Sequence, residues 1–301
     1  MLQELKKNIQ EMAKGPPWWV LAGALDSEYG CLNRISTVTG FGATRVLSGT
    51  LARPVQSGKP VKVNIAIPAY GSLYASVFVR SFYSLLASSA GQGISYSFSE
   101  IDYADIVTAR NYLLSNFYFN KSDCEYILFI DTDMGFPPTL VSEMIGIGED
   151  VVGVIAPRRS LDLVRLHSLA SEPYGIAYAR SCEFIGKPGE AHPRNSSFAE
   201  VVSCGAGILL ISRKCAAAMI SAMPEKVDSQ RFKKMPFGSK FPSLLKFFDK
   251  IELEDRELSE DLSFCYRWRD LLGGKIFASI GHEIEHSGSL VVRGKYLSQE
   301  L

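Results

Sequence analysis

Charge of one sign is not in excess in this chain. Lys plus Arg and Asp plus Glu number 32 each in 301 residues, so net charge gives no argument for a polyanionic partner. Cysteine is sparse and scattered. Cys31, Cys124, Cys182, Cys204, Cys215 and Cys265 form no C-x-x-C pair. That argues against a cysteine-built zinc site and fits a reducing compartment. No apolar run approaches the roughly 18 residues a membrane helix requires, and the apolar piece at residues 18–25 is far too short. The first fourteen residues are polar, with Leu2, Leu5, Ile9 and Met12 at helical spacing. They lack the apolar core and cleavage site of a secretion signal, so a soluble, cytoplasmic protein is expected. Internal repeats and low-complexity segments are also missing. What remains is an ordinary globular composition, long enough to bury a core without disulfides.

One stretch organises the rest. Residues 126–130, Tyr-Ile-Leu-Phe-Ile, are apolar on both faces, as in a central strand of a covered sheet. They end in Asp131-Thr132-Asp133. Side chains alternate along a strand, so the two carboxylates share a side if strand geometry persists. The carboxyl ends of strands are where open α/β sheets bind ligands. Two carboxylates there suit a hard divalent cation that arrives with phosphate. They also suit a plain turn.

Residues 1–58 differ in pattern from the remainder of the chain and form an N-terminal extension, helical at its start. It carries the paired Trp18-Trp19, which pack on the main domain or meet a partner, and a weak nucleotide-loop fragment, Gly40-Phe41-Gly42. From residue 59 on, strands are expected at 61–67, 94–98, 126–130 and 151–155. Helices are expected at about 74–87, from Asp105 as N-cap, and at 139–147. The order β-α-β-α-β-α-β argues for a parallel sheet between helix layers. Residues 156–197 read as irregular. Arg158 and Arg159 follow the fourth strand and either reach a diphosphate or stay solvated. Residues 200–211 read as two short strands meeting at Cys204-Gly205-Ala206-Gly207. A helix over 213–223 comes next. Residues 225–250 interleave seven basic residues with Phe232, Phe237, Phe241, Phe247 and Phe248. Such a segment either grips a sugar, phosphate or nucleic acid, or packs its own aromatics. A helix over 259–272 places Glu260 and Asp261 in its first turn, where carboxylates suit the dipole. A strand at 275–280 precedes His282-Glu283-Ile284-Glu285-His286.

That last segment matches H-E-x-x-H, the zinc-hydrolase pattern through His282, Glu283 and His286. The mechanism needs a helix so that both histidines share a face, whereas β-branched strand sequence precedes the motif and Ser-Gly-Ser succeeds it.

Taken in order, Pro68-Ala69-Tyr70, Thr108-Ala-Arg110-Asn111, Asp131-Thr132-Asp133, 152–157, Cys204-Gly-Ala-Gly207, Glu260-Asp261 and His286-Ser-Gly288 resemble nucleotide-sugar glycosyltransferases of the GT-A fold. The similarity is to family-2-like members of bacterial and phage type, over roughly residues 60–291. The resemblance implies a Rossmann-like, three-layer α/β/α sandwich with a mostly parallel central sheet, over 59–301. It implies a hexosyltransferase-like activity that moves a sugar from a nucleoside-diphosphate donor, foremost a UDP-sugar, to an acceptor hydroxyl. The cofactor implied is Mn²⁺ or Mg²⁺, with Asp131, Asp133 and His286 as its ligands. Pro68, Ala69, Tyr70, Arg110, Asn111, Asp131, Thr132 and Arg158 are the donor-binding candidates. Asp261 is the candidate base of an inverting reaction, with Glu260 in support. Asp102 and Asp105 are candidates for an aspartate that holds the base. The acceptor is a glycan, a small molecule or a hydroxylated DNA base. A non-catalytic nucleotide-binding domain is the alternative.

Overall fold

The computed structural model describes residues 59–184, 186, 188–229 and 241–288. The extension over 1–58, Phe232 and Phe237 lie outside the described residues. An asparagine inside an apolar run shows how the sheet starts. Strand β1 (Val61–Pro68) is buried from Val63 to Ile67, and Asn64 within it is fully buried. Its amide donates to Ser97 Oγ at 3.1 Å and accepts from Ser99 Oγ at 3.1 Å. Both serines lie on β2 (Ile94–Ile101), which pairs with β1 in parallel. Ser97 and Ser99 on the serine side of β2 therefore face a polar network, and the buried amide is satisfied.

Strand β3 (Tyr126–Ile130) flanks β1 on its other side. It is followed by the two-residue β4 (Met134–Gly135) and the fully buried β5 (Val151–Val154). The stretch read as irregular contains β6 (Pro157–Leu161), β7 (Cys182–Phe184) and β8 (Pro188–His192), and runs into β9 (Asn195–Val201). Strand β10 (Ile208–Ser212) is buried throughout. Two short pairs come after it, β11 (Val227–Asp228) with β12 (Leu244–Leu245), and β13 (Ile251–Glu252) with β14 (Glu257–Leu258). The last strands are β15 (Phe277–Ser279) and β16 (Glu285–His286).

The main sheet has the order β2-β1-β3-β10-β5-β15-β9-β8. Only β9 and β10 run against the other six strands, so the sheet is mostly parallel in direction. Helices α1 (Ser76–Gln92) and α3 (Leu140–Gly146) cover one face through Phe78, Leu85, Leu140, Val141 and Met144. On the other face lie α2 (Ile106–Asn120), α6 (Arg213–Ala222) and α7 (Glu260–Tyr266), through Leu113, Phe117, Cys215, Met219 and Phe264. Between β6 and β7 stand two short helices, α4 (Leu163–Ser168) and α5 (Tyr174–Ser181). The three-layer α/β/α architecture is thus present. Strand β3 serves both layers: Ile127 and Phe129 join one core, Leu128 and Ile130 the other. No helix among the described residues is long and apolar enough to cross a membrane.

The sheet departs from the expected run of parallel neighbours at two places, at β9 between β15 and β8 and at β10 within the sheet. Strand β10 inserts antiparallel between β3 and β5, pairing Ile208 with Ile130 and Leu209 with Gly153. Strands β9 and β10 do not pair with each other. Both run against β5 and β15, so residues 202–207 must cross a sheet face from one edge to the other. Gly153 makes the crossing possible, because a Cβ there would collide with the Cys204 side chain. On the outer side, Cys265 Sγ of α7 donates to the Cys204 carbonyl at 3.6 Å. The crossing delivers Gly205, Ala206 and Gly207 to the edge where β1, β3, β5 and β15 end.

Helix α2 is fixed at both ends. Asp105 caps its start, accepting from the Thr108 N–H at 3.0 Å, as expected. At its other end, Arg213 donates to the carbonyls of Cys124, Tyr118, Phe117 and Lys121 at 2.5 to 3.0 Å. Its guanidinium also lies 4.3 Å from the Phe117 ring centroid. An arginine thus gathers the carbonyls at the helix end and those of the residues just beyond it. Arg213→Ala is expected to cost about 2–3 kcal/mol in urea unfolding, and a loss under about 0.5 kcal/mol would show that water replaces it.

Candidate active site

The carboxyl end of β3 carries Asp131 into a turn, with the Met134 N–H donating to the Asp131 carbonyl at 3.1 Å. The Asp131 N–H donates to the Gly207 carbonyl at 2.8 Å, which ties the turn to the start of β10. Gly207 also backs onto the carboxylate. A Cβ there would lie 3.3 Å from Met134 Sδ and 3.6 Å from Asp131 Oδ2.

Arg110, from the second turn of α2, is only 3% exposed and joins three elements. Its Nη2 donates to both Asp131 oxygens at 3.0 Å. Its Nη1 donates to the Ala206 carbonyl at 3.1 Å, and its Nε lies 3.4 Å from Glu260 Oε1. Burial works against the Arg110 charge, but Asp131 and Glu260 outweigh it and raise its pKa. Burial pushes Asp131 above the usual carboxylate range, with Arg110 pulling the other way. The two tendencies oppose each other, and the charged pair is the form the geometry requires: arginine keeps its proton, and its N–H groups need an acceptor. Arg110 is therefore a tie between Asp131 and Glu260.

His286 reaches this edge through a strand too short to read from its own sequence. Strand β16 pairs antiparallel with β4, setting His286 opposite Met134, and the Ser287 N–H donates to the Asp133 carbonyl at 2.8 Å. His286 Nδ1 lies 2.8 Å from the Pro157 carbonyl, so this nitrogen carries a proton. The other nitrogen, Nε2, faces Asp133 Oδ2 at 3.4 Å. Arg159 Nη1 contacts the same oxygen at 3.1 Å. Burial tends to raise the Asp133 pKa, yet His286 and Arg159 hold it below the usual carboxylate range. The bond to Asp133 raises His286 above the ordinary histidine value.

An imidazole with Nδ1–H on a backbone carbonyl presents Nε2 as a ligand, a common arrangement at metal sites. Asp133 and His286 thus fit a divalent cation that takes its other ligands from phosphate and water. Asp131, the third predicted ligand, is engaged by Arg110. Among the described residues no three His, Cys, Asp or Glu side chains are grouped to hold a metal.

The other candidates divide. Asp261 stands in the first turn of α7, with Oδ1 accepting from Ser259 Oγ and from the Leu262 N–H. Its Oδ2 is turned toward Gly205, 3.6 Å from where a Cβ would stand. Pro68 at the end of β1 and buried Ala69 lead into a turn in which Tyr70 is 68% exposed. Asp102 holds that turn, accepting from the Gly71 N–H at 2.8 Å and Ser72 Oγ at 3.2 Å. The Thr132 carbonyl accepts from the Ala75 N–H at 2.8 Å, joining the Tyr70 loop to the Asp131 turn. Asn111 is not with this group. Its amide bonds Asp249 at 2.8 Å and the Phe248 N–H at 2.9 Å, and it lines a separate cleft of about 460 Å³ with Asp105, Lys246 and Lys250. Neighbours on a helix point about 100° apart, and here Arg110 and Asn111 take different partners. Arg158 is also elsewhere, 3.8 Å from Glu183 on the surface, and the arginine brought to Asp133 is Arg159.

The H-E-x-x-H match dissolves. His282 Nδ1 lies 2.7 Å from Ser279 Oγ and its Nε2 lies 3.2 Å from Glu143, while His286 faces Asp133. Glu283 is exposed, and the segment is not helical. In the basic, aromatic segment, Phe241, Phe247 and Phe248 are core, with Phe248 stacked on Phe264 at 4.8 Å. The described part of it packs its own aromatics.

No family model matches the chain. No curated protein matches it either. Among solved structures it is similar to the protein A197 from STIV, at 16% identity over 78% of this chain and 98% of that one, with a TM-score of 0.38. A protein from Bacillus anthracis, described as a glucose-1-phosphate thymidylyltransferase, is 13% identical over 53% of this chain and 74% of its own, at 0.28. A glycosyltransferase involved in glycosylation of the major capsid of PBCV-1 is 9% identical over 60% and 74%, also at 0.28. At these scores the similarities assign no activity.

Proposed function

We propose that the chain is a metal-dependent glycosyltransferase that moves a sugar from a nucleoside-diphosphate sugar, foremost a UDP-sugar, to an acceptor hydroxyl. One observation carries this reading. Asp133 with His286, and Glu260 with Asp261, stand at one edge of the sheet, joined through Asp131 and Arg110. The first pair suits a cation on a diphosphate, and the second suits an acceptor hydroxyl. Mn²⁺ or Mg²⁺ there would stabilise the charge that grows on the leaving diphosphate.

The chain's own residues supply the rest. Tyr70 offers an exposed ring near the Asp131 turn for the nucleotide base, and Thr132 lies within that turn. Asp261 has one oxygen fixed by Ser259 and Leu262 and the other turned to the open side of Gly205. It takes the proton of the acceptor hydroxyl as the new glycosidic bond forms and the bond to the diphosphate breaks, with inversion. Glu260, bonded to Arg110, positions that turn. The acceptor is a glycan, a small molecule or a hydroxylated DNA base. Balanced net charge favours the first two.

A panel of nucleotide sugars with Mn²⁺ or EDTA tests the reading by thermal shift and donor hydrolysis. Stabilisation by at least one donor, present with Mn²⁺ and lost with EDTA, is expected. No response to any donor would sink it. Asp261→Asn is expected to lower transfer by about 10²-fold or more while leaving that thermal shift unchanged.

A further inference from the structure

Two nitrogen-bearing side chains, His286 and Arg159, meet one oxygen of Asp133, and only one of them is tied down. His286 is held from behind by the Pro157 carbonyl. Arg159 has no such anchor among the described contacts. It is 59% exposed, and its one short polar contact is Nη1 with Asp133 Oδ2 at 3.1 Å. Its stem runs against Gly288, where a Cβ would lie 2.8 Å from Arg159 Cβ and 3.1 Å from its Cγ and Cδ. The glycine thus leaves a track for the arginine stem beside the His286 strand. A guanidinium in this position has a problem and a use. It occupies the carboxylate oxygen that a divalent cation needs. Once displaced, it presents a planar fork of donors, which matches phosphate oxygens better than a point charge does.

We propose that Arg159 exchanges partners: it neutralises Asp133 in the empty site and binds the diphosphate of the donor once a cation has taken Asp133. The proposal rests on the nucleotide-sugar reading. It assigns the diphosphate contact to Arg159 and not to Arg158, which faces Glu183. The exchange moves one positive charge from the carboxylate to the phosphates as another arrives, so Asp133 is never left without a countercharge. Cation and diphosphate then bind as a unit, because each removes an obstacle to the other.

The exchange has a signature of opposite signs. In calorimetric titrations, Arg159→Ala is expected to bind Mn²⁺ alone more tightly than the wild type, by about threefold to tenfold, since a competitor for Asp133 is gone. The same variant is expected to bind UDP or pyrophosphate in the presence of Mn²⁺ about tenfold or more weakly. Arg159→Lys keeps the charge but not the fork. It should restore wild-type Mn²⁺ affinity and leave pyrophosphate binding weak. Arg158→Ala should match the wild type in both titrations. The side chain is exposed, so the unfolding midpoint should hold in every variant. If Arg159→Ala leaves both affinities unchanged, or weakens both, while the wild type still binds UDP with Mn²⁺, the exchange is wrong and the nucleotide-sugar reading stands. If the wild type binds neither UDP nor any nucleotide sugar with Mn²⁺, that reading fails and takes the exchange with it.

Discussion

Arg110→Ala is expected to lower the stability of the chain by about 3–5 kcal/mol, the cost of breaking a buried ion pair from one side. The guanidinium is 3% exposed, and the side chains it joins are 29% exposed at Asp131 and 16% at Glu260. Removing it leaves two carboxylates facing each other across a cavity, with the Ala206 carbonyl unpaired as well. Three of the four lost contacts are to these carboxylates, and with both mostly covered water replaces them only in part. In a chain of this length 1 kcal/mol shifts the melting midpoint by about 2–4 °C, so a fall of about 10 °C is expected. Urea unfolding should show a lower midpoint with an unchanged slope. Arg110→Lys should recover part of the loss, since one ammonium cannot span Asp131, Ala206 and Glu260 together. A loss below about 1 kcal/mol for the alanine variant would mean that Asp131 and Glu260 do not depend on this tie. Because the tie joins the Asp131 turn to the first turn of α7, the Lys variant is also expected to lose transfer activity out of proportion to its lost stability.

The parts of this site that were legible in the sequence are those written in local pattern. An apolar pentapeptide ending in Asp131-Thr132-Asp133 announces a central strand and its carboxyl end, because burial on both faces leaves no polar alternation. Asp105 announces the start of α2, because a short acceptor before a helical run has one preferred use. What stayed hidden depends on pairing between distant segments. Nothing local says that β10 slides between β3 and β5. Gly153 is the trace of that crossing, but a glycine in a buried strand reads equally as a bulge. Arg158 and Arg159 lie in a stretch that reads as irregular, so nothing local separates the two. Choosing between them required the pairing of β6 with β7, which sets Arg158 beside Glu183 and leaves Arg159 to Asp133. Arg110 and Asn111 sit side by side on α2 but point about 100° apart, and the structure gives them different partners. Asn64 carried a warning in plain view. An amide inside an apolar strand needs partners, and the serines of β2 were the only alternating polar row nearby in sequence. His286 was placed by resemblance, and the two-residue pairing of β16 with β4 is what brings it to Asp133.

Asp133→Asn should behave in the opposite way to Arg110→Ala, leaving the fold intact and removing function. The Asp133 side chain is 28% exposed, its partner Arg159 is 59% exposed, and its contact with His286 is at 3.4 Å. Partly exposed pairs of this kind contribute about 0–1 kcal/mol, so the melting midpoint should move little. An amide keeps the shape and one acceptor oxygen, but not the charge that a hard cation requires. The thermal shift given by Mn²⁺ with a nucleotide sugar should disappear, and turnover should fall by about 10²–10³-fold, the usual cost of removing one group that stabilises a leaving charge. His286→Ala should weaken the same response less, since phosphate and water can fill one position of the cation's shell. If Asp133→Asn kept the Mn²⁺-dependent shift at wild-type strength, the cation would have to sit elsewhere. Asp131 would then be the only remaining carboxylate at the end of β3, and its two bonds from Arg110 would have to open for it to bind. Under the proposed function the two variants together separate Asp131, tied into the architecture by Arg110, from Asp133, the carboxylate proposed for the cation, two residues apart on the same turn.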